Sequence, residues 1–374
     1  MKKEIQIKIG EISYQVVVGR NLEGKLIDAI KSSTKNNNVV IVTDSFLLNT
    51  KAKRLAISLE ENDFQCKIFE MAGGKGSKSF AELLAIYALL ESSNFSRDST
   101  LIALGGGVVG DLGGFAASTW YRGMNLIHIP TSLMAMVDSS IGGKVAINFR
   151  KTINAVGSYY HPILNLMDLQ LIDSLPQRDY ISGLAEVIKC ALIADKKFLE
   201  WLNVNAPSIL ERNEADLVYC IEKAIQIKID HVDGDVQEGG KRLLLNFGHT
   251  LGHAIEMATH NEDGETFRHG EGVSLGIVAA MYIGEMLFED EKSNVDTVIN
   301  LLKKFNLPVS ISASQLGFSR ENLMQLCYSL SLKDKKRKNN ALRFILLNKL
   351  GSASVFPSVP DHIVRSSLAR LIVE

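Results

Sequence analysis

The sequence has almost no excess of charge of either sign. Its 374 residues include 41 lysines and arginines and 42 aspartates and glutamates, which gives a formal net charge of −1. A chain this neutral has no whole-chain attraction for nucleic acid or for an anionic membrane, although it can still hold a local basic pocket. We therefore expect a small-molecule substrate rather than a nucleic acid or a membrane partner.

Cysteine is also scarce, and the four residues lie far apart at Cys66, Cys190, Cys220 and Cys327. This spacing predicts reduced core thiols rather than a disulfide framework or a zinc knuckle. No apolar run reaches the roughly 18 residues that span a bilayer. The charged, alternating start "MKKEIQIKIG" is unlike a signal peptide. Together these features favour a cytoplasmic protein.

The chain has no low-complexity linker and no internal repeat, yet its length favours about two domains. Apolar residues make up 46% of it, enough for a full core. Up to residue 178, short apolar runs alternate with helical patterns, which predicts an α/β domain with a Rossmann-like parallel sheet. From residue 179 to 374 the apolar patterns have helical period, which predicts a mostly α-helical domain.

The predicted strands of the first domain are short apolar runs bounded by polar or glycine-rich segments. They are a hairpin in "EIQIKIGEISYQVVVG" and the runs "NNVVIVTD", "CKIFEM", "STLIALGG", "MNLIHIPTS" and "PILNLMDL". Helices are predicted at "GKLIDAIKSS" and "AELLAIYALLESS". The second domain has five long helical patterns, beginning with "QRDYISGLAEVIKCALIAD", and one late strand, "LRFILLN".

The stretch "LIALGGGVVGDLGGFAAS" holds six glycines in positions 101–118. Gly105, Gly107 and Gly110 fit G-x-G-x-x-G, a pattern that lets a loop turn tightly and place backbone N–H groups against a phosphate. The alternative is a glycine-rich turn with tight helix packing. Asp44 also follows a predicted strand, where a carboxylate can bind ribose hydroxyls or simply cap a helix.

Three histidines and one glutamate form a candidate metal site. His249 and His253 are four residues apart in "NFGHTLGHAIE" and share one helix face, while His269 follows in "FRHGEG" and Glu186 lies in "SGLAEVIK". Two histidines and a carboxylate with an open position are a catalytic metal geometry. The alternative is buried, hydrogen-bonded histidines with a solvated glutamate. The spacing leaves open whether His253 or His269 is the second ligand.

Several cations stand in apolar surroundings. Lys144 lies in "SSIGGK", where we expect little water, Lys228 in "AIQIKIDHV", and Arg242 before "LLLN". Lys189 follows Glu186 by one helical turn, which also fits a simple i,i+3 salt bridge. Converging cations would bind a dianion or a carboxylate, whereas each one singly is usually a surface charge.

Four blocks in order, "GGGVVGDLGGFAAS", "IPTSLMAMVDSSIGGK", "GLAEVIK" and "NFGHTLGHAIE", resemble the 3-dehydroquinate synthase family, part of the sugar-phosphate cyclases. The resemblance covers roughly residues 38 to 350. It implies a homodimer that uses NAD+ and zinc or cobalt. The implied reaction converts 3-deoxy-D-arabino-heptulosonate 7-phosphate into 3-dehydroquinate and phosphate. Transient oxidation of an alcohol acidifies the neighbouring C–H so that phosphate can leave.

The resemblance also implies roles for individual residues. The metal ligands would be Glu186, His249 and His269. The substrate phosphate would contact His253, Lys144, Asn154 and Arg343, with Arg122 from the neighbouring subunit. The substrate carboxylate would contact Lys228 and Arg242, with Asn246 and Lys189 nearby, and Asp138 would lie between substrate and nicotinamide. The NAD+ contacts would be Asp44, Lys75, Lys78, Gly105, Gly106, Gly107, Val108, Asp111, Thr131, Ser132, Asp138, Lys144 and Ser174.

Two positions depart from the family pattern. Lys75 stands where the family usually has a glutamate for a ribose, and Ile153 where it usually has a cofactor-binding lysine. Both changes affect the expected strength of NAD+ binding but not the metal or substrate set. The first domain is thus expected to bind NAD+ and the second to bind metal and substrate, with closure of the two on substrate. The alternatives are another cyclase, such as a 2-deoxy-scyllo-inosose or valiolone-type synthase, a polyol dehydrogenase, or a regulator without turnover.

Overall fold

A computed structural model describes residues 2–34, 36–150, 152–260, 264–288, 292–332 and 342–374. The chain divides into two compact units, Met1–Pro176 and Gln177–Glu374. The boundary expected from the sequence, after residue 178, lies close to this division. The assignment of cofactor binding to the first unit and of metal and substrate binding to the second stays a prediction.

A seven-stranded sheet is the centre of the first unit, and a separate hairpin accompanies it. The strands in chain order are β1 (Lys3–Ile9), β2 (Ile12–Gly19), β3 (Asn38–Asp44), β4 (Gln65–Met71), β5 (Thr100–Gly105), β6 (Asn125–Pro130), β7 (Lys144–Phe149), β8 (Thr152–Tyr159) and β9 (Leu164–Asp168). The sheet order is β1-β2-β9-β6-β5-β3-β4, and β7 pairs with β8 alone. Only the β1–β2 pair within the large sheet is antiparallel. The predicted α/β class is confirmed.

The central strands read as unbroken apolar runs because both faces of the sheet are covered. Successive side chains of β3 point to opposite faces. Val39 and Ile41 belong to the hydrophobic cluster on one face, and Val40 and Val42 to the cluster on the other. Both clusters contain mostly buried aliphatic side chains, so both faces of the sheet are packed. This packing fixes the position of the carboxyl ends of its strands.

Six helices accompany this sheet. They are α1 (Glu23–Ser33), α2 (Ser45–Leu47), α3 (Lys53–Glu61), α4 (Phe80–Ser92), α5 (Gly107–Thr119) and α6 (Gln170–Asp173). Helix α5 lies unusually close to its neighbours, since a Cβ atom added to Gly114 would be 2.4 Å from Val145 and one added to Gly113 would be 3.2 Å from Ala103. Part of the glycine content of this stretch is therefore a packing requirement.

The second unit is mostly helical, as the apolar periodicity predicts. Its helices are α7 (Gln177–Ala194), α8 (Lys196–Leu210), α9 (Glu214–Val232), α10 (His249–Thr259), α11 (His269–Leu287), α12 (Lys292–Lys304), α13 (Arg320–Ser331) and α14 (Asp361–Leu371). Its strands are β10 (Ile311–Ser312), β11 (Phe344–Lys349), β12 (Ser352–Phe356) and β13 (Ile372–Val373). The predicted late strand is β11, which pairs antiparallel with β12.

Helix α11 is the most apolar of the long helices that the structure describes, yet Glu271 and Glu285 interrupt its apolar run, as the sequence predicts. It is long and apolar enough to cross a membrane by length and composition, and 67% of its apolar window is buried inside the protein. It contacts α7, α10, α12 and α14, which explains why a helix apolar on nearly every side is found here. The four cysteines are reduced thiols, three of them buried, as predicted.

Candidate active site

Glycines bring α7, α10 and α11 close enough for their side chains to meet. A Cβ atom added to Gly270 would lie 1.8 Å from the carbonyl oxygen of Ser182 on α7. A Cβ atom added to Gly276 would lie 1.8 Å from the carbonyl oxygen of Gly248, the residue before α10. Only glycine fits these backbone-to-backbone contacts, so the sequence fixes how closely the three helices approach.

The three helices place one carboxylate beside two imidazoles. His249 is the first residue of α10, His269 is the first residue of α11, and Glu186 lies in the middle of α7. The Oε1 atom of Glu186 is 3.5 Å from His249 Nε2 and 3.7 Å from His269 Nε2. The Nε2 atoms of both rings therefore converge on the same carboxylate oxygen.

The other nitrogen of each ring contacts an acceptor. His249 Nδ1 lies 3.1 Å from the carbonyl oxygen of Phe247, and His269 Nδ1 lies 3.0 Å from Glu256 Oε1. A carbonyl or carboxylate oxygen can only accept, so these contacts assign the proton to Nδ1 in both rings. The Nε2 lone pairs then point toward Glu186, which is the orientation that metal-binding histidines adopt.

The donor set fits a divalent metal ion. Glu186 is only 1% exposed, and neither of its carboxylate oxygens accepts a hydrogen bond of normal geometry from the described residues. The buried Lys189 ammonium contacts its Oε2. Lys189 thus balances the carboxylate at Oε2, while Oε1, the oxygen nearest both Nε2 atoms, accepts no hydrogen bond from the described residues. One glutamate and two imidazoles are a ligand set that catalytic zinc uses.

His253 is a third imidazole at the same place. Its ring centroid lies 5.2 Å from that of His249 and 5.7 Å from that of His269. Nitrogen atoms of the three rings all lie within 4.8 Å of one another, so the three histidines could also hold a metal ion. Both candidate ligand sets include His249 and His269, and they differ in whether Glu186 or His253 completes the set.

Three predicted substrate-binding cations in the second unit are buried, so the alternative that each is a surface charge is wrong for them. Lys189 and Arg242 are 2% exposed and Lys228 is 6% exposed. Lys228 lies on α9, and the 3₁₀ segment Lys241–Asn246 packs against α9 and α7. Little water competes for a hydrogen bond to a buried cation, so Lys228 and Arg242 are candidates to bind an anionic substrate, whereas Lys189 already contacts Glu186.

Asp235 holds the backbone around Arg242. Its carboxylate accepts hydrogen bonds from the backbone N–H groups of Gly239 at 2.7 Å and of Gly240 and Arg242 at 2.8 Å. Burial raises the pKa of Asp235, but these three hydrogen bonds outweigh it and leave the pKa below its usual value. The Arg242 guanidinium also donates to the carbonyl oxygen of Val236 at 2.9 Å. Asp235 thus holds the backbone of Arg242, and the carbonyl of Val236 holds its guanidinium.

Two functional candidates escaped the sequence analysis. Glu238 accepts a hydrogen bond from Asn246 Nδ2 at 2.6 Å and has a left-handed φ of +62°. Glu238 precedes two glycines, a sequence that predicts a loop but does not indicate a functional role for the carboxylate. Glu256, which contacts His269, follows His249 by seven residues, so helical periodicity could have placed it on the same face.

In the first unit, the glycine stretch meets the segment that follows β6. The backbone N–H of Thr131 donates to the carbonyl oxygen of Gly105 at 3.0 Å. Because β5 and β6 are adjacent parallel strands, this contact joins the carboxyl ends of both, where ligands of open parallel sheets bind. The predicted NAD+ residues Ser132 and Asp138, the latter half-buried, lie in the same segment.

Protein atoms explain two of the three glycines in the G-x-G-x-x-G pattern. A Cβ atom added to Gly105 would lie 2.5 Å from Val109, and one added to Gly107 would lie 2.9 Å from Ser139 Oγ. The nearest atom to a Cβ atom on Gly106, by contrast, is 3.8 Å away. The packing interpretation therefore accounts for Gly105 and Gly107, whereas Gly110, the third glycine of the pattern, and Gly106 would meet only ordinary contacts of 3.6 and 3.8 Å.

Asp44 is a helix cap. Its Oδ1 accepts hydrogen bonds from the backbone N–H groups of Phe46 at 3.0 Å and Leu47 at 3.1 Å. Burial raises the pKa of Asp44, and the two hydrogen bonds offset part of that effect. The capping alternative is thus observed, and a ribose contact through this carboxylate stays a prediction.

Lys78 joins two other predicted site residues. Its ammonium, on a side chain 6% exposed, contacts the carboxylate of Asp111 on α5 and the amide oxygen of Asn154 on β8. Asn154 has a left-handed φ of +51°. The contact network brings two predicted NAD+ residues and one predicted phosphate residue together within the first unit.

Lys144 requires a correction. It begins β7 and is exposed, so the expected water-poor surroundings are wrong. Lys144 lies at the open end of the β7–β8 hairpin, opposite Tyr159, where its side chain is exposed, whereas the preceding Gly142 and Gly143 are buried. Ile153 is 59% exposed. The side chain of Lys75 lies outside the described residues.

The remaining predicted site residues lie at element ends. Arg122 is exposed and, like Tyr121 before it, has a left-handed φ, of +65° and +48° respectively. Val108 is half-buried in the first turn of α5, Ser174 is exposed directly after α6, and Arg343 is half-buried directly before β11.

Two models of a known protein family match this chain. Residues 68–182 match the N-terminal model of 3-dehydroquinate synthase, and residues 183–337 match its C-terminal model. The chain belongs to the 3-dehydroquinate synthase family. Among its curated relatives, the 3-dehydroquinate synthase of Idiomarina loihiensis is 36% identical over 96% of this chain and 97% of the relative. That of Clostridium perfringens is 36% identical over 95% and 97%. The family resemblance predicted from the four blocks is confirmed.

Solved structures show the fold of the family. A 2-deoxy-scyllo-inosose synthase in complex with carbaglucose-6-phosphate, NAD+ and Co2+ matches with a TM-score of 0.88 and 23% identity, over 98% of this chain and all of that one. The 2-epi-5-epi-valiolone synthase of Streptomyces hygroscopicus, with NAD+ and Zn2+ bound, matches with a TM-score of 0.84 and 24% identity, over 97% and 98%. A glycerol dehydrogenase from Schizosaccharomyces pombe matches at 0.60 and 17%, over 95% and 88%.

Proposed function

We propose that this chain is a 3-dehydroquinate synthase, a carbon–oxygen lyase of aromatic amino acid biosynthesis in the cytoplasm. It would convert 3-deoxy-D-arabino-heptulosonate 7-phosphate into 3-dehydroquinate and phosphate. The observation that carries the proposal is the cluster in which His249 Nε2 and His269 Nε2 lie 3.5 and 3.7 Å from one oxygen of the buried Glu186. The identity of 36% to curated synthases supports the same reaction.

Glu186, His249 and His269 are proposed to hold the metal ion, zinc or cobalt. The near-complete burial of Glu186 and its position 3.5 and 3.7 Å from the two Nε2 atoms favour this set over one completed by His253. When bound, the divalent ion supplies a Lewis acid to the substrate alcohol, and NAD+ supplies a reversible hydride acceptor. The protein's task is to orient these groups and to exclude water around them.

Arg242 and Lys228 are proposed to bind the substrate carboxylate, with Asn246 and Lys189 nearby. A planar guanidinium matches a carboxylate with two parallel hydrogen bonds, and burial strengthens each of them. Both cations are nearly inaccessible to solvent. A sugar phosphate that lacks a carboxylate would offer no such group to these two cations, which supports the heptulosonate over the substrates of sister cyclases.

The substrate phosphate is assigned to Lys144, Asn154, His253 and Arg343, with Arg122 of a second copy in a homodimer. Positive and hydrogen-bonding groups around a leaving phosphate orient it and stabilise its departing charge. The first unit is proposed to bind NAD+ at the carboxyl edge of its sheet, with Asp138 facing the nicotinamide. The other proposed NAD+ contacts are Asp44, Lys75, Lys78, Gly105, Gly106, Gly107, Val108, Asp111, Thr131, Ser132, Lys144 and Ser174.

The test is phosphate release from the heptulosonate phosphate with NAD+ and Zn2+, with and without a chelator, while NADH absorbance is followed. We expect phosphate release that the chelator abolishes and no net accumulation of NADH, because the hydride returns within each turnover. Stoichiometric NADH would contradict the proposal and indicate a simple dehydrogenase. Turnover that survives complete metal removal would contradict the metal assignment.

A further inference from the structure

We propose that Glu256 is a positioning residue for His269, fixing the orientation and tautomer of its ring and thereby setting the affinity of the metal site. This inference rests on the proposed metal-dependent function. It adds a residue that neither the sequence motifs nor the proposed ligand set includes.

Glu256 lies on α10, on the same face as two of the clustered histidines. It follows His249 by seven residues and His253 by three, so all three lie on one face of the helix. From that face its Oε1 reaches 3.0 Å from His269 Nδ1, across the interface with α11. The opposite ring nitrogen, Nε2, lies 3.7 Å from Glu186. Glu256 and the proposed metal position are therefore on opposite sides of one ring.

The two ligand histidines have acceptors of different strength. His249 is held by a backbone carbonyl, that of Phe247, whereas His269 is held by a carboxylate. A hydrogen bond to an ionised acceptor is stronger than one to a neutral carbonyl. A carboxylate on Nδ1 also makes the Nε2 lone pair a better metal donor. The side chains of Glu256 and His269 are 14% and 29% exposed, so little water competes for this contact.

The helix interface is shaped to accept the Glu256 side chain. A Cβ atom added to Gly272, in the first turn of α11, would lie 2.7 Å from both the Cγ and the Oε1 of Glu256. The missing side chain at position 272 therefore provides the space in which the carboxylate lies. The first turn of α11 thus supplies His269 and, at Gly272, the space for its partner Glu256. A glutamate that pointed into solvent would not need this space.

The inference does not depend on which residue completes the ligand set, because His269 belongs to both candidate sets. Removing the carboxylate should loosen the ring and allow the tautomer with the proton on Nε2. Only the tautomer with the proton on Nδ1 can donate Nε2 to a metal. Metal affinity should therefore fall even where the metal-free protein remains folded.

The experiment measures Zn2+ affinity of the metal-free, full-length protein by competition with a chelator. Glu256→Ala should weaken Zn2+ binding about 10- to 100-fold, the range typical of lost partners of ligand histidines. Glu256→Gln keeps an acceptor oxygen without the charge and should weaken binding by a smaller factor. Glu285→Gln is the matched control, because Glu285 lies on the same helix as His269 and its side chain is 15% exposed. It should bind Zn2+ like the wild type.

A second readout separates positioning from folding. Thermal unfolding of the metal-free variants reports structure, whereas the visible absorption of bound Co2+ reports ligand geometry. We expect an altered Co2+ spectrum for Glu256→Ala and an unaltered one for Glu285→Gln. If Glu256→Ala does not fold, the same comparison with Glu256→Gln decides.

Each outcome has one meaning. If the wild-type protein binds Zn2+ and Glu256→Ala binds it about tenfold or more weakly, the inference is supported. If the wild type binds Zn2+ but the affinity of Glu256→Ala falls by less than this, the inference is overturned and the proposed function stands. The same holds if Glu285→Gln loses as much Zn2+ affinity as Glu256→Ala. A wild-type protein that binds no Zn2+ overturns the proposed function itself.

Discussion

Gly276→Ala should destabilise the second unit because it forces α10 and α11 apart. The added Cβ atom would lie 1.8 Å from Gly248 O and 2.7 Å from the backbone nitrogen of Gly252. Both are backbone atoms, so no rotamer change relieves the contact. Reaching an ordinary separation of 3.4 Å requires a helix displacement of about 1.6 Å.

The magnitude follows from two opposing effects. Overpacking of a tight interior costs about 1–3 kcal/mol, and a backbone clash belongs at the upper end of that range. Alanine regains about 1 kcal/mol in helix propensity over glycine. We therefore expect a net loss of about 2 kcal/mol or more. For a unit of about 200 residues this lowers Tm by about 4–8 °C.

The assay is thermal unfolding of the metal-free protein, with Gly284→Ala as the control on the same helix. A Cβ atom on Gly284 has nothing within 4 Å, so that variant should be as stable as the wild type or up to about 1 kcal/mol more stable. Gly276→Ala should also lose Zn2+ affinity, because His249 and His269 begin the two helices that it separates. Equal Tm values for Gly276→Ala and Gly284→Ala would refute the reasoning.

Three further predictions concern the buried ionisable side chains of Lys189, His128 and Arg242. Lys189→Met removes the ammonium that contacts the buried Glu186, which should cost about 3–5 kcal/mol in urea unfolding of the metal-free protein. Added Zn2+ should restore more stability to this variant than to the wild type, and an equal gain would argue against the ion at Glu186. Burial lowers the pKa of His128 to about 4, against about 6.5 when unfolded, so the unfolded chain binds a proton first as the pH falls. Stability should thus be lost from pH 6.5 downward, by about 3 kcal/mol near pH 4. His128→Gln should lose about 2 kcal/mol less than the wild type between pH 7 and 4.5, and parallel curves would contradict this. Arg242→Gln should lower kcat/KM for the heptulosonate phosphate about 10- to 150-fold, the cost of one charge-assisted hydrogen bond, whereas an unchanged value would remove Arg242 from the carboxylate site.

Strands buried on both faces were the elements that the sequence predicted best. β3 and β5 are unbroken apolar runs because helices cover the sheet on both sides. The β7–β8 hairpin was missed because most of β8 is exposed and carries no apolar run. Helix α8 was missed as well, and it contains Pro207, which normally interrupts a helical pattern.

The candidate site was predicted in its residue types but not in its arrangement. Helical spacing placed His249 and His253 on one face, yet the position of His269 depends on how α11 packs against α10 and α7. That packing is set by backbone contacts at glycines, which have no side-chain signal in the sequence. The burial of Lys189 and Arg242, and the exposure of Lys144, likewise follow from tertiary packing rather than from neighbouring residues.

The most direct test of the account is the choice among substrates. Phosphate release should be measured with 3-deoxy-D-arabino-heptulosonate 7-phosphate, glucose 6-phosphate and sedoheptulose 7-phosphate under identical conditions, with NAD+ and Zn2+. We predict turnover of the carboxylated heptulosonate alone, with 3-dehydroquinate as the product. Turnover of either sugar phosphate without a carboxylate in its place would contradict the proposed function and assign the chain to a sister cyclase.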